Sequence, residues 1–333
     1  MENQLQKKEV KIENLRAIAI LMVVFGHSII LYDSGWGGYT TNNSVLGLEI
    51  LKHWINLIQM PLFFSLSGYL FFYSYSHTGL LELIKKKAKR ILLPFIFIAL
   101  IWLIPIRKLV GWKAYNEKSI LEILSQDILG GRDCGHLWFL PCLFLIFILS
   151  HIVITITRGI TKNICIINIC LVVFSYMSAY FFYLIPKFWG SEIVRAVAMN
   201  WLWFCFGYVL CSWKDRYQEV GKLLKASLLC LGLIFSIVTI SGSFSNVRIT
   251  SIIMLITFYV TIDSKSNKLL TFLSNNSFGI YLFHSPLVYI TYSKMANANP
   301  IMVVFINFIV FGGMAIVLTL LFRNTKLRIF IGE

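Results

Sequence analysis

Residues 137–156 read LWFLPCLFLIFILSHIVITI. The stretch contains no charged residue. Wound as an α-helix rising about 1.5 Å per residue, it is about 30 Å long, which is the thickness of the hydrocarbon core of a bilayer. Buried strands would need turn signals every ~8–12 residues, and the stretch has none. Its reading as a membrane span decides the fold class, because comparable blocks recur on both sides of it. Ala17–Ile30 and Leu92–Ile104 are two of them.

Working outward, the same criterion predicts about ten spans. They are Leu15–Tyr32, Leu51–Tyr75, Ile91–Ile106, Leu137–Thr157, Ile164–Leu184, Ala196–Trp213, Leu224–Ser241, Ile249–Ile262, Leu273–Tyr292 and Pro300–Phe322. The chain of 333 residues is 58% hydrophobic and only 14% charged, against about 25% charged for soluble domains. The expected class is all-α: a polytopic transmembrane helix bundle forming a single domain over 1–333, with no soluble domain. No cleavable leader is expected, since a polar segment, Met1–Glu13, precedes the first block and no small-residue cleavage site follows it.

The net charge of +15 raises nucleic acid as a partner, but the basic residues sit in short clusters between apolar blocks, not along a stripe with interleaved aromatics. Twenty of the thirty lie on the side of the N-terminus when the spans are threaded alternately. That bias places both termini in the cytoplasm, and an even number of spans agrees. Membrane lipid is thus the expected surround, and nucleic acid is excluded. The seven cysteines are an odd number, six of them in or beside apolar runs, and read as small hydrophobes with no disulfide framework. No metal or redox cofactor is implied. The longest polar stretches, Asp33–Gly47 and Lys108–Gly135, fall outside; each either shapes an entrance to a site or merely connects spans.

The first span reads Arg16-Ala-Ile-Ala-Ile-Leu-Met-Val-Val-Phe-Gly-His27-Ser28. Eleven steps of about 100° make three turns plus ~20°, so Arg16 and His27 share one face, about 16 Å apart along the axis. An ionisable group inside a span is costly and points to function, although a lone histidine also serves as a hydrogen-bonded packing residue. His53, His77 and His151 carry no such pattern and read as loop or packing residues. Asp33, Glu49, Asp127, Asp133 and Glu192 are outer carboxylates, any of which could support His27; spacing does not select among them.

Leu15–Ile20 with Val24-Phe25-Gly26-His27-Ser28 resembles the opening helix of the acyltransferase 3 family, integral-membrane acyltransferases of bacterial surface sugars. Met60-Pro-Leu-Phe-Phe-Ser-Leu-Ser-Gly-Tyr-Leu70, Arg90-Ile-Leu-Leu-Pro94, His136-Leu-Trp-Phe-Leu140 and Ser277-Phe-Gly-Ile-Tyr-Leu-Phe-His284 are similar to further family segments, in the same order. The resemblance implies a multi-pass protein of the bacterial cytoplasmic membrane with acetyl-CoA, or another acyl-CoA, as co-substrate from the cytoplasm and no permanently bound cofactor. The implied acceptor is a sugar hydroxyl of a cell-envelope polysaccharide or lipid-linked glycan, with a sugar amine as a variant. It makes His27 the catalytic histidine, as base or as acyl acceptor, and Arg16 its basic partner.

Within Lys85-Lys-Lys-Ala-Lys-Arg90, where the family shows two arginines three apart, this chain offers Lys87 and Arg90 for the coenzyme phosphates. The bland reading of that cluster is topology and attraction to anionic lipid. His136, Trp138, His284 and Ser67 are the implied substrate-side residues. Ser65–Gly68 is also a place where two helix backbones can approach closely. The alternative of another class is a multi-span exporter of a glycan or small polar molecule, which the helix count alone would fit; sparse carboxylates within spans and the lack of an internal repeat speak against it.

Overall fold

In the computed structural model, residues 2–36, 45–75, 78–214, 220–243, 245–262, 265–295 and 297–333 are described, with side chains from residue 10 onward. Most of these residues are helical and none of them is in a strand. His77, read as a loop or packing residue, lies outside the described residues, as does much of the Asp33–Gly47 stretch.

The long elements are α1 (Glu2–Ser28), α2 (Leu46–Asn56), α3 (Gln59–Ser74) and α4 (Leu80–Leu109). After a short helix α5 (residues 120–129) come α6 (Gly135–Ile160), α7 (Ile164–Leu184), α8 (Ser191–Ser212) and α9 (Lys222–Ile240). Then follow α10 (Val247–Thr261), α11 (Lys268–Met295) and α12 (Pro300–Arg323), with a final helical turn at Lys326–Ile331. Among the described residues, seven stretches are long and apolar enough to cross a membrane: α2 with α3 taken together, α4, α6, α7, α8, α9 and α12. Each of the other three predicted spans also coincides with a helix. One is short, α10 with 15 residues. The other two, α1 and α11, are diluted by polar residues, and they pack against one another. Length and composition thus account for seven spans and leave the tenfold count and the side of the termini to topology.

The helices are apolar on their outward faces too. Only 11% of the apolar window of α9 and 22% of that of α12 is covered by other parts of the chain. Leu233, Ile237, Phe305 and Val317 are each more than half exposed. A helix apolar all round with so little protein around it needs lipid as its solvent. The chain is a multi-pass membrane protein.

In lipid, helices associate by close packing and small residues. At the α3–α8 crossing, a Cβ on Gly68 would overlap the Phe204 carbonyl, and one on Gly207 would overlap the Ser65 carbonyl. The two glycines admit each other's backbone, the close approach expected of Ser65–Gly68. Helix α4 contains two widened, π-type turns, Ala88–Leu92 and Ala99–Leu103, leading into segments that begin Leu93-Pro94 and Ile104-Pro105. A proline has no N–H and crowds the carbonyl four residues earlier, which a widened turn relieves.

Candidate active site

His27 stands in the last turn of α1. That end of the helix is fixed from α12: Asn307 Nδ2 donates to the Ser28 carbonyl at 3.1 Å, and Asn307 Oδ1 accepts from Thr291 Oγ1 at 2.7 Å. A terminal carbonyl without a helical partner is thereby satisfied. From α11 comes His284, and from the turn that opens α6 comes His136. The three rings cluster, with centroids 5.0 Å apart for His27–His284, 5.5 Å for His136–His284 and 6.5 Å for His27–His136.

Their hydrogen bonds assign the protons. His284 Nδ1 lies 3.0 Å from the Ile280 carbonyl and 2.9 Å from that of Tyr281. Carbonyls only accept, so Nδ1 bears the proton, and Nε2 of the neutral ring is an acceptor. That Nε2 is 3.2 Å from His27 Nδ1, which also lies 2.9 Å from the Val23 carbonyl. His27 Nδ1 is therefore the protonated nitrogen. Its Nε2, with no partner among the described residues, keeps its lone pair.

His27 and His136 help line a cavity of about 530 Å³ together with Trp138, Ser285, Trp36, Trp112, Arg107, Asp133 and Tyr289. Its rim is aromatic: Trp36 stacks on Trp112 at 5.9 Å, and Tyr292 meets Trp36 edge-on at 5.4 Å. Arg107, 1% exposed, donates to Asp133 Oδ1 at 2.9 Å, to the Asp133 carbonyl at 3.1 Å and to the Tyr289 hydroxyl. Its guanidinium also lies over the rings of Tyr289, Tyr115 and Trp112. Cys134 adjoins this wall, but burial first, and Asp133 second, push its thiol up to about 12. It stays protonated and is no rival nucleophile.

A second cavity, of about 460 Å³, shares no lining residue with the first. It gathers Arg16, Ser67, Lys87 and Arg90 with Ser277, Phe139 and Tyr281. Within the basic run, Lys85, Lys86 and Lys89 are exposed while Lys87 is half-buried, its ammonium 3.6 Å from the centre of the Phe147 ring. Arg90 Nε donates to the Gly332 carbonyl at 3.2 Å. Arg90 and Arg107 are 17 residues apart on α4, roughly 25 Å at the helical rise, so the two cavities lie toward opposite ends of the bundle. Phe139 and Tyr281 stand between them: they meet at 5.6 Å, Phe139 follows Trp138, and the Tyr281 hydroxyl donates to the His136 carbonyl.

Of the residues expected from the sequence, His27, His136, Trp138 and His284 come together at one end. Arg16, Lys87, Arg90 and Ser67 meet at the other, so Ser67 sits with the basic residues and apart from the histidines. None of the five candidate carboxylates reaches His27. Asp33 faces His53 and accepts from the Gly35 amide, and Glu49 accepts from Ser34. Asp127 is held by Lys118, Asp133 by Arg107 and Glu192 by Arg195. The partner of His27 is a histidine. Asp33, Glu49 and His53 bring ligand atoms within 4.8 Å of one another, a group that includes none of the three clustered histidines. His151 is a packing residue, buried with its ring 4.9 Å from Tyr75. Arg107, Tyr281, Tyr289 and the buried Lys52, whose ammonium approaches Gly26, were not singled out by the sequence. The one available signal was a basic residue at the end of an apolar run.

A family model described as an acyltransferase domain matches residues 9–323. No curated protein and no solved structure matches the chain.

Proposed function

Since the chain belongs to the acyltransferase 3 family, we propose that it moves an acyl group, expected to be acetyl, from cytoplasmic acyl-CoA to a sugar hydroxyl of a cell-envelope polysaccharide or its lipid-linked precursor. It does so from the bacterial cytoplasmic membrane, as one unit of ten spans with both termini in the cytoplasm. The family match lends no support to the exporter alternative.

The observation that carries this reading is the division of labour between the cavities. One holds a neutral histidine with a free Nε2 lone pair. The other holds three cations, Arg16, Lys87 and Arg90, at the opposite end of the bundle. Cations suit the phosphates of a coenzyme, and a lone pair on imidazole suits a hydroxyl proton. In the reaction the acceptor hydroxyl gives its proton to His27 Nε2 as its oxygen attacks the thioester carbonyl. The tetrahedral adduct collapses with cleavage of the C–S bond, and the departing thiolate takes the proton back from Nε2. His27 ends as it began, its Nδ1 proton still shared with Val23 and His284. An acyl-histidine would instead leave acyl label on the protein when acetyl-CoA is supplied alone; none is expected.

The test is transfer of radiolabel from acetyl-CoA to envelope glycan by protein purified into lipid. His27→Ala, shown to be folded by its elution and melting, is expected to lose at least about 10²-fold in rate, the scale of general-base catalysis. Retained turnover would remove His27 from the centre of the reaction.

A further inference from the structure

His136 has an acceptor atom for which the described residues supply no donor. Pro286 lies inside α11 and has no N–H, so the Leu282 carbonyl four residues earlier lacks its helical partner. His136 Nε2 sits 3.2 Å from that oxygen. A carbonyl only accepts, which puts the ring proton on Nε2 and the lone pair on Nδ1. Meanwhile the Tyr281 hydroxyl donates to the backbone carbonyl of the same residue, so α11 holds both its ring and its backbone. Its Nδ1 is buried and has no hydrogen-bond partner among the described residues, in a residue only 6% exposed. Buried acceptors in folded proteins are nearly always paired, and an exception calls for an account. The residue that carries it lines the cavity that His27 also lines, the two rings 6.5 Å apart.

We infer that His136 Nδ1 is a recognition point for the acceptor: it accepts a hydrogen bond from the hydroxyl next to the one that His27 deprotonates. The inference rests on the acyl-transfer reading and adds a demand on the substrate, which must be a vicinal diol. Adjacent hydroxyls making one O–H···N contact of about 2.8 Å each match the scale of that separation, once the substrate displaces what covers Nδ1. The two lone pairs then act in different ways: one removes a proton, the other fixes which hydroxyl is presented. Discrimination of this kind is strong, because an analogue without the second hydroxyl leaves Nδ1 desolvated and unpaired.

The experiment compares methyl hexopyranosides with their monodeoxy forms as acceptors, using wild type, His136→Gln and His136→Asn. Glutamine can keep the donor to Leu282 but offers nothing at Nδ1; asparagine keeps an oxygen near Nδ1. With wild type, removing the neighbouring hydroxyl is expected to lower kcat/KM for the acceptor about 10- to 100-fold. His136→Gln should show the same loss on the full glycoside, with acetyl-CoA KM unchanged and little further loss on the deoxy form. His136→Asn should recover part of it. Losses that multiply between variant and deoxy acceptor would overturn the inference while leaving acyl transfer standing. Wild type that transfers to no acceptor, envelope glycan included, would sink the acyl-transfer reading and this inference with it. Independently, 15N chemical shifts of labelled His136 in lipid should report a proton on Nε2; a proton on Nδ1 would overturn the inference whatever the kinetics.

Discussion

His284 gives His27 a ring nitrogen where many catalytic histidines have a carboxylate. It aligns the imidazole by accepting one hydrogen bond, and Ile280 and Tyr281 hold it in the tautomer that lets it accept. Its removal should therefore weaken orientation without touching donor binding. We expect His284→Leu to lower kcat by about tenfold, the worth of one hydrogen bond of ordinary strength, with acetyl-CoA KM unchanged. His284→Gln, which keeps an acceptor, should recover part of the loss; a change confined to KM would contradict the role. Arg107 is a different kind of residue. Its charge is buried against Asp133 and three aromatic rings, and removing one partner of a buried pair leaves the other uncompensated. Arg107→Met should lower stability by about 3–5 kcal/mol, read as an earlier thermal midpoint in detergent; an unchanged midpoint would mean that Asp133 finds another partner.

These two cases also mark how far residues can be read without coordinates. The Arg16–His27 face follows from helical periodicity, because both lie on one uninterrupted helix. Lys87 and Arg90 stand out as the end of a basic run, yet nothing in that run tells Lys87 from Lys86, which is exposed and paired with Glu82. The meeting of His27 with His284 spans 257 positions. No local pattern encodes it, so the sequence points to carboxylates where the structure supplies a histidine.

Among the elements, α4 shows why periodicity fails even where a helix is correctly foreseen. Each widened turn slips the face of the helix, and two of them lie between Lys87 and Arg107. Counting 100° per residue along that stretch therefore does not give the direction of Arg107. The α3–α8 crossing was more legible, since the small residues Ser65–Gly68 announce a close approach, although not the partner. Gly207→Leu should block that approach: the side chain has only the Ser65 backbone to displace, and overpacking of this kind costs at least about 1–3 kcal/mol. The expected result is loss of a single monodisperse species on size-exclusion chromatography in detergent. A normal elution profile with normal melting would show that the two helices part without consequence.

At the scale of the molecule, membrane character was plain from composition, while the candidate site was not, because it is divided between two ends of a bundle whose helices are scattered along the chain. The aromatic wall of Phe139 and Tyr281 has a consequence of its own. A membrane that stores energy as an ion gradient holds about 2.3 kcal/mol per elementary charge for each 100 mV, and any protein hollowed from both faces is a potential short circuit. On the proposed reading, cavities meeting at two aromatic rings would let the reaction draw on both compartments while the barrier stays electrically tight. Phe139→Ala should then make proteoliposomes leak protons measurably faster under an imposed potential, and Tyr281→Phe, which keeps the ring, should not. Equal leakage from all three proteins would assign the insulation elsewhere. On this view the catalyst is also a piece of the membrane's insulation, and its aromatic plug is answerable to the bilayer as much as to the chemistry.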